Sequence, residues 1–138
     1  MVSIVDRARP GGVHFFHAAV LAGMLALFLC ALVADYAYWA SYQIQWSNFA
    51  SWLLVGAMVL ASIAVICEIF ALVRGVRSVV HILVLTATWL VGFFDALHHA
   101  RDAWGIMPTA LVLSVIAAVL AGVATWIGFA SLRAGGAR

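Results

Sequence analysis

Four stretches of nearly uninterrupted apolar residues leave this chain few ways to fold. Residues 13–34, 49–73, 78–97 and 108–132 each reach the length a helix needs to cross hydrocarbon, about 20 residues for roughly 30 Å. Inside a bilayer the backbone must satisfy its own hydrogen bonds, so runs of this length read as helices rather than open strands. The segments between them (35–48, 74–77 and 98–107) are too short for a soluble domain. Residues 1–12 form a leader in which Pro10, Gly11 and Gly12 interrupt helix continuity, and 133–138 form a tail. Pro108 is well placed to open the fourth helix. The expected fold is therefore all-α: an antiparallel four-helix bundle integral to a membrane. Composition agrees, with 67% hydrophobic and 9% charged residues, where a soluble domain would carry about 25% charged. That excludes a soluble globular protein, a disordered chain and a disulfide scaffold. The first apolar run is too long for a signal-peptide core and lacks a small-x-small cleavage site, so it is expected to remain as a span.

The cations are seven arginines, with no lysine, for a net charge of +2. They are too scattered for a nucleic-acid surface. Arg7, Arg9, Arg74, Arg77, Arg133 and Arg138 fall on one side of a four-span chain, and Arg101 alone on the other. Basic short loops stay in the cytoplasm, so both termini are expected there. The opposite side carries Asp35, Tyr36, Tyr38, Trp39, Tyr42, Trp46 and Trp104, an aromatic belt suited to a lipid–water interface. Cys30 and Cys67 lie inside apolar runs without CxxC or metal spacing and read as small core residues.

Helices in lipid associate through small and polar residues, so stripes of these mark the inside. On the third span His81, Thr88, Gly92, Asp95 and His99 share a face; on the fourth, Ser114, Ala118, Ala121, Thr125 and Gly128; on the second, Ala57, Ala61, Ala64 and Glu68. On the first, His14, Ala18, Ala22 and Ala26 line one side, while His17 leads a bulkier stripe of Leu21, Met24 and Phe28. Ionisable groups in spans are costly and mark function by default. His14 and His81 lie at similar depths just after Arg9 and Arg77, His17 is one turn deeper, and Glu68 approaches the same layer from the second span. His98 and His99 sit at the far end with Asp35, Asp95, Arg101 and Asp102 nearby. Adjacent histidines point about 100° apart on a helix, so this outer group reads as a solvated loop with His99 partly inward.

The inner group admits several chemistries. A b-type haem would take His81 and His14 as axial ligands, with His17 the substitute for His14. Arg74 and Arg77 would then meet its propionates. A metal site would use His14, His17, His81 and Glu68 for zinc, iron or manganese. A proton path would use Glu68 and Asp95. Simple interfacial hydrogen bonding of the histidines is the plainest alternative.

Several short motifs together resemble a widespread bacterial family of small four-span membrane proteins of unknown function. They are His14-Phe15 and Ala34-Asp35-Tyr36 with Tyr38 on the first span, and Trp46-x-x-x-Ala50-x-Trp52-Leu53-Leu54 leading into the second. His81, Pro108, Leu113-Ser114 and Trp126-x-Gly128 complete the set. The resemblance covers about residues 13–132. It departs from the family pattern where Phe16 replaces a proline, at Glu68 and Ala71, and where an asparagine after His81 is missing. Members are sometimes joined to Rieske or cytochrome c domains. The resemblance thus implies a protein of the bacterial cytoplasmic (inner) membrane working with quinone or other redox subunits. It would be an electron carrier or oxidoreductase subunit rather than a stand-alone enzyme. A non-catalytic accessory or anchor subunit of a larger membrane complex is the alternative.

Overall fold

The computed structural model describes residues 10–75 and 78–136, and side chains for 15–75 and 78–133. Four helices follow in order: α1 (Pro10–Ser41), α2 (Ile44–Val73), α3 (Val79–His99) and α4 (Thr109–Gly136), with a short 3₁₀ turn at Ala103–Gly105 before α4. All four are long and apolar enough to cross a membrane, and no strand occurs among the described residues. The helices pack as a square in which α1 touches α2 and α4, and α3 touches α4 and α2. α1 and α3 therefore face each other across the bundle axis.

The helices outrun the apolar segments. The segment 35–48 reads as a loop by hydropathy, yet α1 continues to Ser41 and α2 starts at Ile44. Two residues on that extension explain it by turning inward: Asp35 and Tyr38 are fully buried, and the Tyr38 hydroxyl donates to the Ala103 carbonyl at 2.9 Å. The chain then reverses at Tyr42, whose φ of +49° is unusual for a bulky residue. Tyr42 stacks on Trp104 at 6.5 Å, tying the reversal to the α3–α4 connection. At the other end Gly75 takes φ +71°, which glycine adopts without penalty, so the chain can leave α2 after Arg74. Ser78 caps α3 by accepting from the Val80 N–H.

Packing divides bulk and space between helices. α2 turns Ala50, Ala57, Ala61 and Ala64 inward, and α4 turns in Ala117, Ala118, Ala121 and Ala124. The bulk that fills this space comes from α1: Leu21, Met24 and Phe28 are buried, whereas Ala22 and Ala26 are exposed. The inward face of α1 is thus the bulky stripe headed by His17, and not the alanine side. Small residues on two helices need large ones on the third, because close packing leaves few voids. Gly92 shows how tight the fit is: a Cβ there would stand 2.8 Å from both Met58 Sδ and Phe28 Cζ. Near the middle, Trp89 Nε1 donates to Ser62 Oγ at 2.9 Å, joining α2 to α3. Outside, Phe15, Val33, Trp52, Val73, Leu83, Trp104 and Trp126 are each more than 60% exposed. A surface of that kind requires lipid as its solvent.

Candidate functional site

Each end of the apolar core closes on a buried polar cluster. At the end that carries α1's start, three helices contribute one ionisable residue each: His17 from α1, Glu68 from α2 and His81 from α3. All three are at most 5% exposed. Each sits on its helix's inward stripe, as helical periodicity requires. His17 Nε2 and His81 Nδ1 both lie 2.9 Å from the same oxygen, Glu68 Oε1. The rings stand edge to face with centroids 6.1 Å apart.

The alignment of these contacts carries chemical information. Neither His17 Nε2 nor His81 Nδ1 makes a hydrogen bond among the described residues, despite the short approach. His81's other nitrogen is fully engaged, with Nε2 3.0 Å from the Ala124 carbonyl of α4. A carbonyl can only accept, so Nε2 carries the hydrogen and Nδ1 presents a lone pair in the neutral ring. Metal-ligating histidines show this arrangement, in which the second nitrogen donates to a carbonyl and fixes the tautomer. Gly128 makes it possible: a Cβ there would stand 3.3 Å from two ring atoms of His81 and run into Leu21.

The opposite cluster is built from Asp35 on α1, Asp95 and His99 on α3, and Ser114 on α4. His99 Nε2 donates to Asp35 Oδ1 at 2.8 Å, and Nδ1 donates to the Asp95 carbonyl at 3.0 Å. With acceptors at both nitrogens, His99 is an imidazolium. Ser114 Oγ is bonded to Asp35 Oδ2 and lies 2.9 Å from Asp95 Oδ2. Asp35 and Asp95 are fully buried and Ser114 is 1% exposed. The expected solvated loop is therefore a closed core. Arg101 and Asp102 stay outside it, Asp102 capping the 3₁₀ turn. In each cluster three ligand-type atoms from three residues lie within 4.8 Å of one another, so both could hold a metal ion.

Of the residues singled out by sequence, His17, Glu68 and His81 are brought together. Arg74 is exposed at the end of α2. The backbone of His14 belongs to α1, but its side chain, like all of Arg77, lies outside the described residues. The Ala124 carbonyl escaped the sequence reading because backbone acceptors leave no signature in a residue pattern; Gly128 was read on the inward stripe of the fourth span, but its closeness to His81 was not. Ser114 was visible as an inward polar position, whereas Asp35 read as a loop residue beyond the first span; their partnership crosses helices and required the register of α1 against α4.

No curated protein and no solved structure matches the chain. The family profile for DUF2231, described as a predicted membrane protein, matches residues 13–133 and so takes in all four spans and both clusters. The chain belongs to the DUF2231 family of predicted membrane proteins.

Proposed function

We propose that the chain is a membrane metalloprotein whose centre is His17, Glu68 and His81, and that the metal is non-haem iron or manganese. One observation carries this reading: two buried imidazole nitrogens from two different helices converge at 2.9 Å on one carboxylate oxygen of a third. Ligand atoms around a shared cation are arranged in this way. A donor set of two histidines and one carboxylate with open positions suits non-haem iron.

A b-type haem fits these residues poorly. His17 and His81 converge on a single glutamate oxygen, and His81 Nε2 is committed to Ala124. Leu21 and Gly128 pack close beside the His81 ring, so a porphyrin on His81 would have to displace them. Arg74 is exposed and free to meet solvent or headgroups rather than propionates.

When bound, iron or manganese would supply one-electron or Lewis-acid chemistry. The chain's own part is to hold the ligands dry and in register. Ala124 keeps His81 in one tautomer, and Glu68 offsets charge. A divalent ion with one carboxylate and two neutral imidazoles leaves a net +1 in a low-dielectric site, which favours an anionic further ligand. With iron in place the chain would suit exchange of electrons with a quinone or neighbouring redox subunits. Arg74 and Arg133 lie at the end where α1 begins, and Arg101 at the other. We accordingly place that end on the cytoplasmic face of a bacterial inner membrane, with both termini inside.

The test is metal analysis and a dithionite-reduced minus oxidised visible spectrum on one purified sample expressed with ample iron, manganese and haem. The reading expects about one iron or manganese per chain, no haem band, and loss of that metal in His17→Ala and Glu68→Gln. A haem α-band would overturn it in favour of a cytochrome. A preparation with neither metal nor haem would overturn it in favour of an accessory subunit.

A further inference from the structure

The opposite cluster does not balance unless it holds one more proton than its hydroxyl and imidazolium provide. Ser114 Oγ has a single hydrogen, yet it is bonded to Asp35 Oδ2 and also lies 2.9 Å from Asp95 Oδ2. Two oxygen–oxygen hydrogen bonds need two hydrogens, so one of the carboxyl groups supplies the second. Charge leads to the same count. His99 contributes one positive charge and two ionised carboxylates would contribute two negative ones, leaving an uncompensated charge where burial is most expensive. Among the described residues the groups in contact within the cluster are Asp35 from α1, Asp95 and His99 from α3, and Ser114 from α4. The only acid or base on α2 is Glu68, at the far end of the bundle.

We infer that Asp95 is a protonated, neutral acid, held as a proton-binding site by Asp35, Ser114 and His99 at the end of the bundle opposite the metal centre. The two carboxyls differ in what they receive. Asp35 takes the His99 Nε2 hydrogen at 2.8 Å on one oxygen and the Ser114 hydroxyl on the other, as an ionised carboxylate would. Asp95 Oδ1 receives no hydrogen bond although the residue is fully buried. The nearest donor, His99 Nδ1 at 3.2 Å, spends its hydrogen on the Asp95 backbone carbonyl instead. A bare carboxylate oxygen in that position is costly, whereas a neutral carbonyl oxygen costs much less. The proton therefore sits on Asp95 Oδ2 and is donated to Ser114 Oγ, which passes its own hydrogen to Asp35. The cluster sums to zero charge and stores one proton that a conformational or redox change could release.

Infrared spectroscopy of the full chain in lipid vesicles at neutral pH tests this directly. The wild type should show the carbonyl stretch of a protonated carboxyl group, shifted by deuteration. The band should persist in Glu68→Gln, which excludes the buried acid at the opposite end, and vanish in Asp95→Asn. Asparagine mimics the neutral acid, so Asp95→Asn should remain monodisperse and melt within the scatter of wild-type replicates. The inference is overturned by a wild type without the band, by a band that survives Asp95→Asn, or by an Asp95→Asn chain that fails to fold.

Discussion

Asp35→Ala removes the carboxylate that His99 and Ser114 share in the cluster opposite His17, Glu68 and His81, and the structure sets the size of the effect. Asp35 accepts from His99 Nε2 at 2.8 Å and from the Ser114 hydroxyl, and it is fully inaccessible. Hydrogen bonds to a charged group contribute about 1.5–3 kcal/mol each. Stripping one partner from a buried pair costs about 3–5 kcal/mol, because the other charge stays behind without compensation. Here that residual charge is the His99 imidazolium, whose side chain is 1% exposed. The expected destabilisation of Asp35→Ala is about 4 kcal/mol, within the range for a broken buried pair. Equilibrium unfolding in mixed micelles, with a chelator present so that no metal contributes, measures it. The double variant Asp35→Ala/His99→Ala removes the stranded charge along with its partner. It should be less destabilised than the sum of the singles by about 2 kcal/mol or more, the sign expected for coupled neighbours. A loss below about 1 kcal/mol for Asp35→Ala, the value of an exposed pair, would refute the reasoning. So would additive single and double variants.

Two further outcomes follow from the packing. Gly128→Ala should push His81 off the Ala124 carbonyl, since the new Cβ stands 3.3 Å from the ring. Metal affinity by competition with a chelator should then fall about 10–100-fold, as when a metal ligand loses its supporting bond. Ser62→Ala removes the acceptor of the Trp89 indole between α2 and α3. It should cost only about 0.6 kcal/mol, the mean for hydrogen bonds between helices in a bilayer, and the same unfolding assay would read it.

Much of this architecture is legible in the residues. Apolar run length gives the four spans, and the inward stripes on α2, α3 and α4 follow from helical spacing of small and polar residues. Depth alone brings His14, His17, Glu68 and His81 to one layer, and the trio His17, Glu68 and His81 emerges only once the inward face of α1 is known. Two features resisted. On α1 the alanines marked the wrong side, because a stripe's meaning depends on what its neighbours offer. With Ala57, Ala61 and Ala64 facing it from α2, α1 must supply Leu21, Met24 and Phe28. The extent of α1 was also hidden. Hydropathy falls at Asp35, but the helix continues because Asp35 finds His99 and Ser114, and Tyr38 finds Ala103, contacts made between elements distant in sequence.

The histidine chemistry divides along the same line. Sequence alone leaves haem, metal and proton chemistry open, since all use imidazole at a common depth. What separates them is ring orientation: His81 turns Nε2 to a backbone carbonyl and Nδ1 to Glu68. At the other cluster His99 turns both nitrogens to acceptors. The first layout leaves a lone pair facing a carboxylate, and the second makes a cation. On the two proposals made above, one bundle carries a metal centre at one end and a proton-holding centre at the other, with Met24, Phe28, Leu54 and Leu85 in the apolar core.

The most direct test of the central claim is X-ray absorption at the metal edge of the iron- or manganese-loaded protein in detergent. The account predicts a shell of light atoms at about 2.1 Å with the outer-shell scattering of two imidazoles, and loss of the edge along with the metal in His17→Ala. A spectrum with four pyrrole nitrogens, or one unchanged by His17→Ala, would contradict it.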